Sequence, residues 1–162
     1  RKGSPDLPSG SLTPNHYGES DKLGPLTMRI QKRNVYKCEN IHGKLHHVGD
    51  VVWGKIHGFP WWPGRITAIT VSRRDNGVII SQIAQVSWFS SSTMSHISCD
   101  DIYPFLEDYK TRFNKKKRGI YKTAVKQATK AAQSLENEIR RIELMECTVN
   151  IEMLNDSSCS SV

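Results

Sequence analysis

The stretch Val51-Val52-Trp53-Gly54-Lys55-Ile56-His57-Gly58-Phe59-Pro60-Trp61-Trp62-Pro63-Gly64-Arg65-Ile66 constrains the fold more than any other part of the chain. Its sixteen positions hold four bulky aromatic residues, two prolines and three glycines. Trp53 lies in an apolar run with Val51, Val52 and Ile56 that predicts a strand. Gly58 frees the backbone to turn, and Pro60 and Pro63 fix φ on either side of two tryptophans. Two prolines in four residues do not serve a central strand, so this segment is an arch or an edge. Its physical effect is to hold large flat rings on a stiff backbone at a surface, as an aromatic pocket requires.

Periodicity organises the rest. Val48 to Ile56 reads as a first strand and Pro63 to Val71 as a second. Arg73-Arg74-Asp75-Asn76-Gly77 follows as a turn, with Asn76-Gly77 a strong hairpin signal. Val78 to Phe89 returns as a long strand ordered by Ile83, Val86, Trp88 and Phe89. Ser90-Ser91-Ser92-Thr93 makes the next turn, and Met94 to Ser98 a fourth strand. Asp100 to Phe105 fits a short last strand or a helical turn running into one. Short strands with turn signals between them favour a small barrel over an open sheet. After Phe105 the period changes: Leu106, Tyr109 and Phe113 share one helical face, then Tyr121, Ala124, Ala128, Ala132 and Leu135 share another over Ile120 to Leu135. The predicted class is α+β, a small five-stranded antiparallel β-barrel (about 48–105) followed by a C-terminal helical bundle (about 106–135).

The motif Gly58-Phe59-Pro60-Trp61-Trp62-Pro63-Gly64, preceded by Gly49-Asp50-Val51-Val52-Trp53-Gly54-Lys55, resembles the PWWP domain. That family is grouped with the Tudor and chromo domains among chromatin-binding barrels. The resemblance covers roughly Leu45 to Leu135 and implies the same barrel-plus-helices architecture.

The ends read differently. Residues 1–25 are rich in Pro, Gly and Ser without periodic apolar spacing and read as a disordered linker within an N-terminal arm, 1–43. Leu26 to Tyr36 fits either a short strand along the domain edge or an extended arm. Residues 136–162 turn acidic, then apolar, then serine-rich; Glu136 to Glu146 fits a helix extension, and the tail reads as weakly ordered or as a partner segment. The first residue is Arg1 rather than Met, as expected of a fragment of a longer protein. No run approaches a transmembrane helix and no signal peptide is visible, so no membrane role is expected.

The net charge of +7 is uneven. Residues 44–135 carry fourteen basic and six acidic side chains, while residues 136–162 carry two and six. A basic compact domain suits a polyanion such as nucleic acid. Cys38, Cys99, Cys147 and Cys159 form no C-x-x-C pair and read as free thiols in a reducing compartment. His42, His46 and His47 have no matching cysteine or carboxylate pattern, so they read as loop histidines. Neither a metal nor a cofactor is expected.

In PWWP domains one cage residue precedes the motif's first proline, a second is its last tryptophan, and a third ends the third strand. The resemblance therefore assigns a methyl-lysine cage to Phe59, Trp62 and Trp88. Aromatic faces attract a trimethylammonium group and bury its methyls, worth roughly 0.5–2 kcal/mol per ring. The acidic residue that the family often places just after the third aromatic is replaced here by Ser90 and Ser91. Trp53 and Phe89 read as core, since alternation puts Phe89 opposite Trp88; Trp61 is ambiguous, with packing against the C-terminal helices one of its readings.

From Lys110 to Lys130 there are nine basic residues and no acidic one. Lys122, Lys126 and Lys130 stand four apart, and like charges at that spacing destabilise a helix unless an anion offsets them. The resemblance implies DNA contacts beside the cage, at Lys55 and His57, and at the start of the last helix, at Lys116, Lys117 and Arg118; Lys115, Lys122 and Lys126 extend that face. Phosphate binding without base readout is expected. No Gly-x-Ser-x-Gly elbow, phosphate-binding glycine loop or H-E-x-x-H occurs, and Asp100-Asp101 reads as a turn or cap, so no enzyme is expected. The sequence reads as a nuclear reader binding methylated histone H3, at the lysine-36 mark the resemblance implies, together with nucleosomal DNA. A DNA-binding module with an inert cage, and a scaffold recruiting proteins through the N-terminal arm or C-terminal tail, are the alternatives.

Overall fold

The computed structural model describes residues 29–158. The linker expected over residues 1–25 and the serine-rich end from Cys159 lie outside that range. Its elements in chain order are β1 (Ile30–Val35), β2 (Lys37–Glu39), β3 (Leu45–His47), β4 (Val51–Gly54), β5 (Trp62–Arg74), β6 (Ile79–Trp88) and β7 (Met94–Ser98). A 3-10 turn (Cys99–Asp101), β8 (Tyr103–Pro104), a one-turn helix α1 (Tyr109–Arg112) and a long helix α2 (Ile120–Ser158) complete it.

The 13-residue β5 is the strand to which the others are fitted. β6 pairs with it along most of its length, while its other edge is divided between two antiparallel neighbours. β4 takes Trp62 to Arg65, and β1 takes Ile69 to Arg74. The described part of the stretch Leu26 to Tyr36 thus contributes an edge strand, Ile30–Val35. Between these two halves Ile66 faces Val86 and Ala68 faces Gln85, so Thr67 is an extra residue on β5. Such a bulge bends the strand and reverses the parity of its faces. Gly64 and Ile66 are buried before it, Ile69 and Val71 after it.

The antiparallel α+β class expected from the sequence is the observed one, with two differences in detail. The sheet runs β7-β6-β5-β4-β8, with β1 on β5, and does not close. β8 has only two residues, Val52 facing Pro104 and Trp53 facing Tyr103, and Pro104 has no N–H with which to continue a ladder. In place of a helical bundle there are one short turn and one helix of 39 residues, which runs unbroken past Leu135 to Ser158. Asp100 and Asp101 lie in the 3-10 turn: Asp100 N–H donates to Ser98 Oγ at 3.3 Å, and its carboxylate accepts from Ile41 N–H at 3.0 Å.

All four residues of β4 are buried. Alternation sends Val52 into the concave interior of the sheet with Ile66, Ile69, Ala84, Val86 and Trp88. Val51 and Trp53 point the other way, into a second core with Phe105, Tyr121, Val125, Ala128 and Ala132. Trp53 stacks on Phe105 at 4.7 Å and donates its indole N–H to Phe105 O at 3.0 Å. From there the rings continue through Tyr109, Phe113 and Tyr121 to Trp62, with centroid separations of 5.6, 5.0, 6.1 and 5.5 Å. Aromatic contacts thus connect the base of the sheet to the arch.

His46 departs from the loop reading: it is buried in β3, while His42 and His47 are exposed. Asn40 Oδ1 accepts from the N–H groups of His42 and Lys44 at 3.0 and 2.9 Å. That orients the Asn40 amide nitrogen to donate to Cys99 O and to His46 Nε2, each at 3.2 Å. An accepting Nε2 requires a neutral imidazole. Burial, the larger influence, pushes the His46 pKa below its ordinary value, against the pull of Asp50. Cys38, Cys99 and Cys147 are free thiols.

Trp53→Ala should cost about 3–5 kcal/mol of unfolding free energy, the range for removing a fully buried large aromatic, as read by urea denaturation. Because the folded-state pKa of His46 is depressed, its contribution is whole above the unfolded value of about 6.5 and is lost as pH falls. Stability should therefore drop between pH 7 and pH 5, and the same titration of His46→Gln should be flatter.

Candidate functional site

The arch delivers its rings to the end of the sheet where β5 begins and β6 ends. Phe59 N–H donates to Ile56 O at 3.0 Å, closing a turn in which Gly58 has φ of +82°. The Lys55 ammonium donates to Phe59 O across the same turn. Pro63 pairs with Trp53 and Gly54 with Trp62, so the Pro-Trp-Trp-Pro segment enters the sheet directly from the arch. Trp61 and Trp62 then point to different places. Trp61 meets Tyr103 edge-on at 5.5 Å, and the Arg112 guanidinium lies 3.9 Å from the Trp61 ring and 3.6 Å from Tyr103. Trp62 turns toward the end of β6 and donates its indole N–H to Phe89 O at 3.0 Å.

Phe59, Trp62 and Trp88 line one cavity of about 490 Å³. Ile56 and Ile120 add apolar wall, and Ser90, Ser91, Thr93 and Ser95 supply hydroxyl groups; no carboxylate is among its lining residues. The three rings differ in exposure. Phe59 stands at the rim, 56% exposed, and Trp88 forms the floor, 4% exposed and also part of the sheet core. Trp88 is held by an indole N–H bond to Ser95 Oγ at 2.9 Å. Its ring lies over two glycines. A Cβ on Gly54 would fall 2.5 Å from Trp88 Cη2, and one on Gly64 would fall 3.0 Å from Trp88 Cε3. The bare backbone of β4 and β5 is therefore the seat of the floor ring.

Phe89 leaves the Trp88 side and packs with the second core. Arg112, part of the basic run in sequence, is withdrawn from the surface between Trp61 and Tyr103 and pairs with Asp108 at 3.4 Å. Lys55, His57, Lys115, Lys116, Lys117, Arg118, Lys122 and Lys126 are all exposed. Among the described residues none of them forms an ion pair with a carboxylate. Ile120, the first residue of α2, lines the cavity, so the run Lys115–Arg118 abuts the cavity wall in sequence. Further along α2, Gln127 Oε1 accepts from Ser90 Oγ at 2.9 Å and ties the helix to the β6–β7 turn. The sequence reading did not assign Gly54, Gly64, Ser95 or Ile120 to the site. Only the glycines had a signal, two residues without side chains inside apolar strands.

Residues 49–136 match the model of the family described as PWWP domain. The chain belongs to the PWWP domain family. It is 47% identical over 141 residues to "PWWP domain-containing protein 2A" of Homo sapiens, covering 86% of this chain and 19% of that protein. It is 46% identical over 143 residues to the Xenopus laevis protein of the same name, covering 85% and 18%. To "PWWP domain-containing protein 2B" of Homo sapiens it is 39% identical over 150 residues, covering 86% and 25%. The chain thus spans about a fifth to a quarter of the length of these relatives. Family and relatives make this PWWP domain a chromatin-associated reader module, in a family of non-enzymatic, generally nuclear chromatin readers. Among the described residues no helix is long and apolar enough to cross a membrane.

The seat of Trp88 gives a test of how the PWWP cavity is built. Gly54→Ala should displace the Trp88 ring, since the new methyl meets the rigid indole and Ile97 Cδ1 at 3.2 Å. The expected cost is about 1–3 kcal/mol, with the Trp88 indole N–H resonance shifted as its bond to Ser95 is strained.

Proposed function

We propose that this PWWP domain binds a methylated lysine of the histone H3 tail, at the lysine-36 mark, through Phe59, Trp62 and Trp88, and nucleosomal DNA through its basic face. The observation that carries the reading is the one cavity lined by three rings, two from the arch and one from the end of β6. A methylated ammonium group is a cation with an apolar shell, so ring faces attract its charge and exclude water from its methyls. The cavity's polar lining is hydroxyl only. Lower methylation states keep N–H donors that a carboxylate would satisfy, and without one this lining gives those states little added preference. The unpaired charges of Lys115, Lys116, Lys117, Arg118, Lys122 and Lys126, with Lys55 and His57 beside the arch, suit the phosphates of DNA next to the tail. Each contact alone is weak, and joining them on one nucleosome raises the effective concentration of the second.

The test is affinity for nucleosomes with and without trimethylated lysine-36, at two salt concentrations. The mark should strengthen wild-type binding, and Trp62→Ala should remove a gain of roughly 2- to 30-fold, the equivalent of about 0.5–2 kcal/mol for one ring. Charge reversal at Lys116, Lys117 and Arg118 should weaken binding to marked and unmarked particles alike and flatten the salt dependence. An unchanged wild-type affinity with and without the mark would assign the function to the basic face alone.

A further inference from the structure

The face of α2 that packs on the sheet does not stop where the sheet stops. Ala128, Ala132, Leu135, Ile139, Ile142, Glu146, Val149 and Met153 recur at alternating spacings of four and three, the seam of a coiled coil. Ala128 and Ala132 are buried against the second core, and Leu135 is half-buried. Beyond Leu135 every seam residue is exposed: Ile139, Ile142, Val149 and Met153 stand 47%, 49%, 52% and 68% open. The helix past Leu135 extends about 35 Å at 1.5 Å per residue. The near end of this seam opens on a groove of about 660 Å³ between α2 and the β8–α1 loop, where Phe105 and Leu106 face Leu135 and Ile139.

The positions flanking the seam say what can lie on it. Written as heptads with Ile139 at a, the e and g positions from Leu135 onward are Glu136, Glu138, Glu143, Met145, Asn150 and Glu152. Four are acidic and none is basic. Glu146 occupies an a position within the seam; Arg140 and Arg141, at b and c, pair with Glu136 at 3.1 Å and Glu138 at 3.6 Å, so that among the described residues Glu143, Glu146 and Glu152 are the seam and flank carboxylates without an ion pair. A second copy in parallel register would set Glu146 against Glu146 and glutamates against glutamates, which such pairing disfavours. A helix with Lys or Arg at its flanks, and a basic residue opposite Glu146, supplies a counter-charge to Glu143, Glu146 and Glu152 and competes for Glu136 and Glu138 with exposed, weak intrahelical pairs.

We propose that residues 135–153 of α2 are a docking surface for one basic amphipathic helix of a protein partner, paired with it as a heterotypic coiled coil. Ile139, Ile142, Val149 and Met153 anchor the partner's apolar stripe, and Glu138, Glu143, Glu146 and Glu152 select its charge. The groove at Phe105 and Leu106 receives one end of the partner helix, which places it against the sheet and not only on the projecting arm.

Two synthetic 21-residue helices test this with the full chain, both with leucine at a and d except at the position opposite Glu146, one with lysine there and at its flanks and one with glutamate. Binding is followed by fluorescence anisotropy, and the chain's own association by sedimentation. The expected result is a monomeric chain that binds the lysine-flanked helix saturably at one to one and leaves the glutamate-flanked helix unbound. Ile142→Asp with Val149→Asp, both at exposed positions, should weaken binding at least tenfold while nucleosome affinity is kept. Replacing Glu138, Glu143, Glu146 and Glu152 by lysine should exchange the preference between the two helices. Binding of neither helix, or equal binding by the Ile142→Asp, Val149→Asp chain, would overturn the proposal. So would a wild-type dimer that the same two substitutions dissociate, because the surface would then belong to a second copy.

Discussion

Burial of β4 on both faces is the constraint on which the rest of this domain depends. Four residues separate two cores, and strand alternation assigns Val52 to one and Val51 with Trp53 to the other. The inner core gives the sheet its curvature and holds Trp88. The outer core fixes Phe105, and through it the short helix and the start of α2. A strand with one solvated face would leave the helix no apolar surface to pack on. The dependence therefore runs from local alternation, through two separate burials, to the position of everything at the arch.

The cavity inherits its precision from these cores and not from the arch alone. Its floor ring rests on backbone, because Gly54 and Gly64 carry no side chain where the Trp88 indole lies. Its wall ring, Trp62, is braced by Tyr121 at 5.5 Å and by the bond to Phe89 O. Tyr121 is itself buried and accepts from Asn114 N–H at 2.9 Å. Only Phe59 is free of such packing, and it stands at the entrance. A pocket with a fixed floor and wall and an exposed rim loses little conformational entropy when a ligand enters, which is the general advantage of preorganisation. The basic residues follow a different logic: exposed and unpaired, they act through a field that salt screens.

Much of this was legible from residues. The turns at Asn76-Gly77 and Ser90–Thr93, the Met94–Ser98 strand and the helix starting at Ile120 follow directly from turn chemistry and periodicity. Phe59, Trp62 and Trp88 were singled out by their positions in a motif, and the structure brings all three to one cavity. Trp61 and Trp62 are neighbours of the same type, yet one packs with Arg112 and Tyr103 and the other faces the cavity; no property of the dipeptide separates them. Arg112 looked like part of a basic surface because charge is visible in sequence and stacking on rings is not. His46 was read as a loop residue because its partners, Asn40 and Cys99, are brought to it by the β2–β3 hairpin and the 3-10 turn.

The length of α2 shows the same division. Periodicity to Leu135 was clear because a second core rewards it, and the following residues read as an acidic tail because no sheet lies beneath them. By itself, the sequence determined the local alternation, the turns, the stiff aromatic arch and the sign of the charge along each stretch, since all of these are properties of neighbouring residues. Tertiary structure alone decided that Arg112 is drawn between Trp61 and Tyr103, that two glycines on different strands form the seat of Trp88, and that the sheet stays open. Those outcomes depend on contacts between residues far apart in the chain, whose register is set by the bulge at Thr67 and by the double burial of β4.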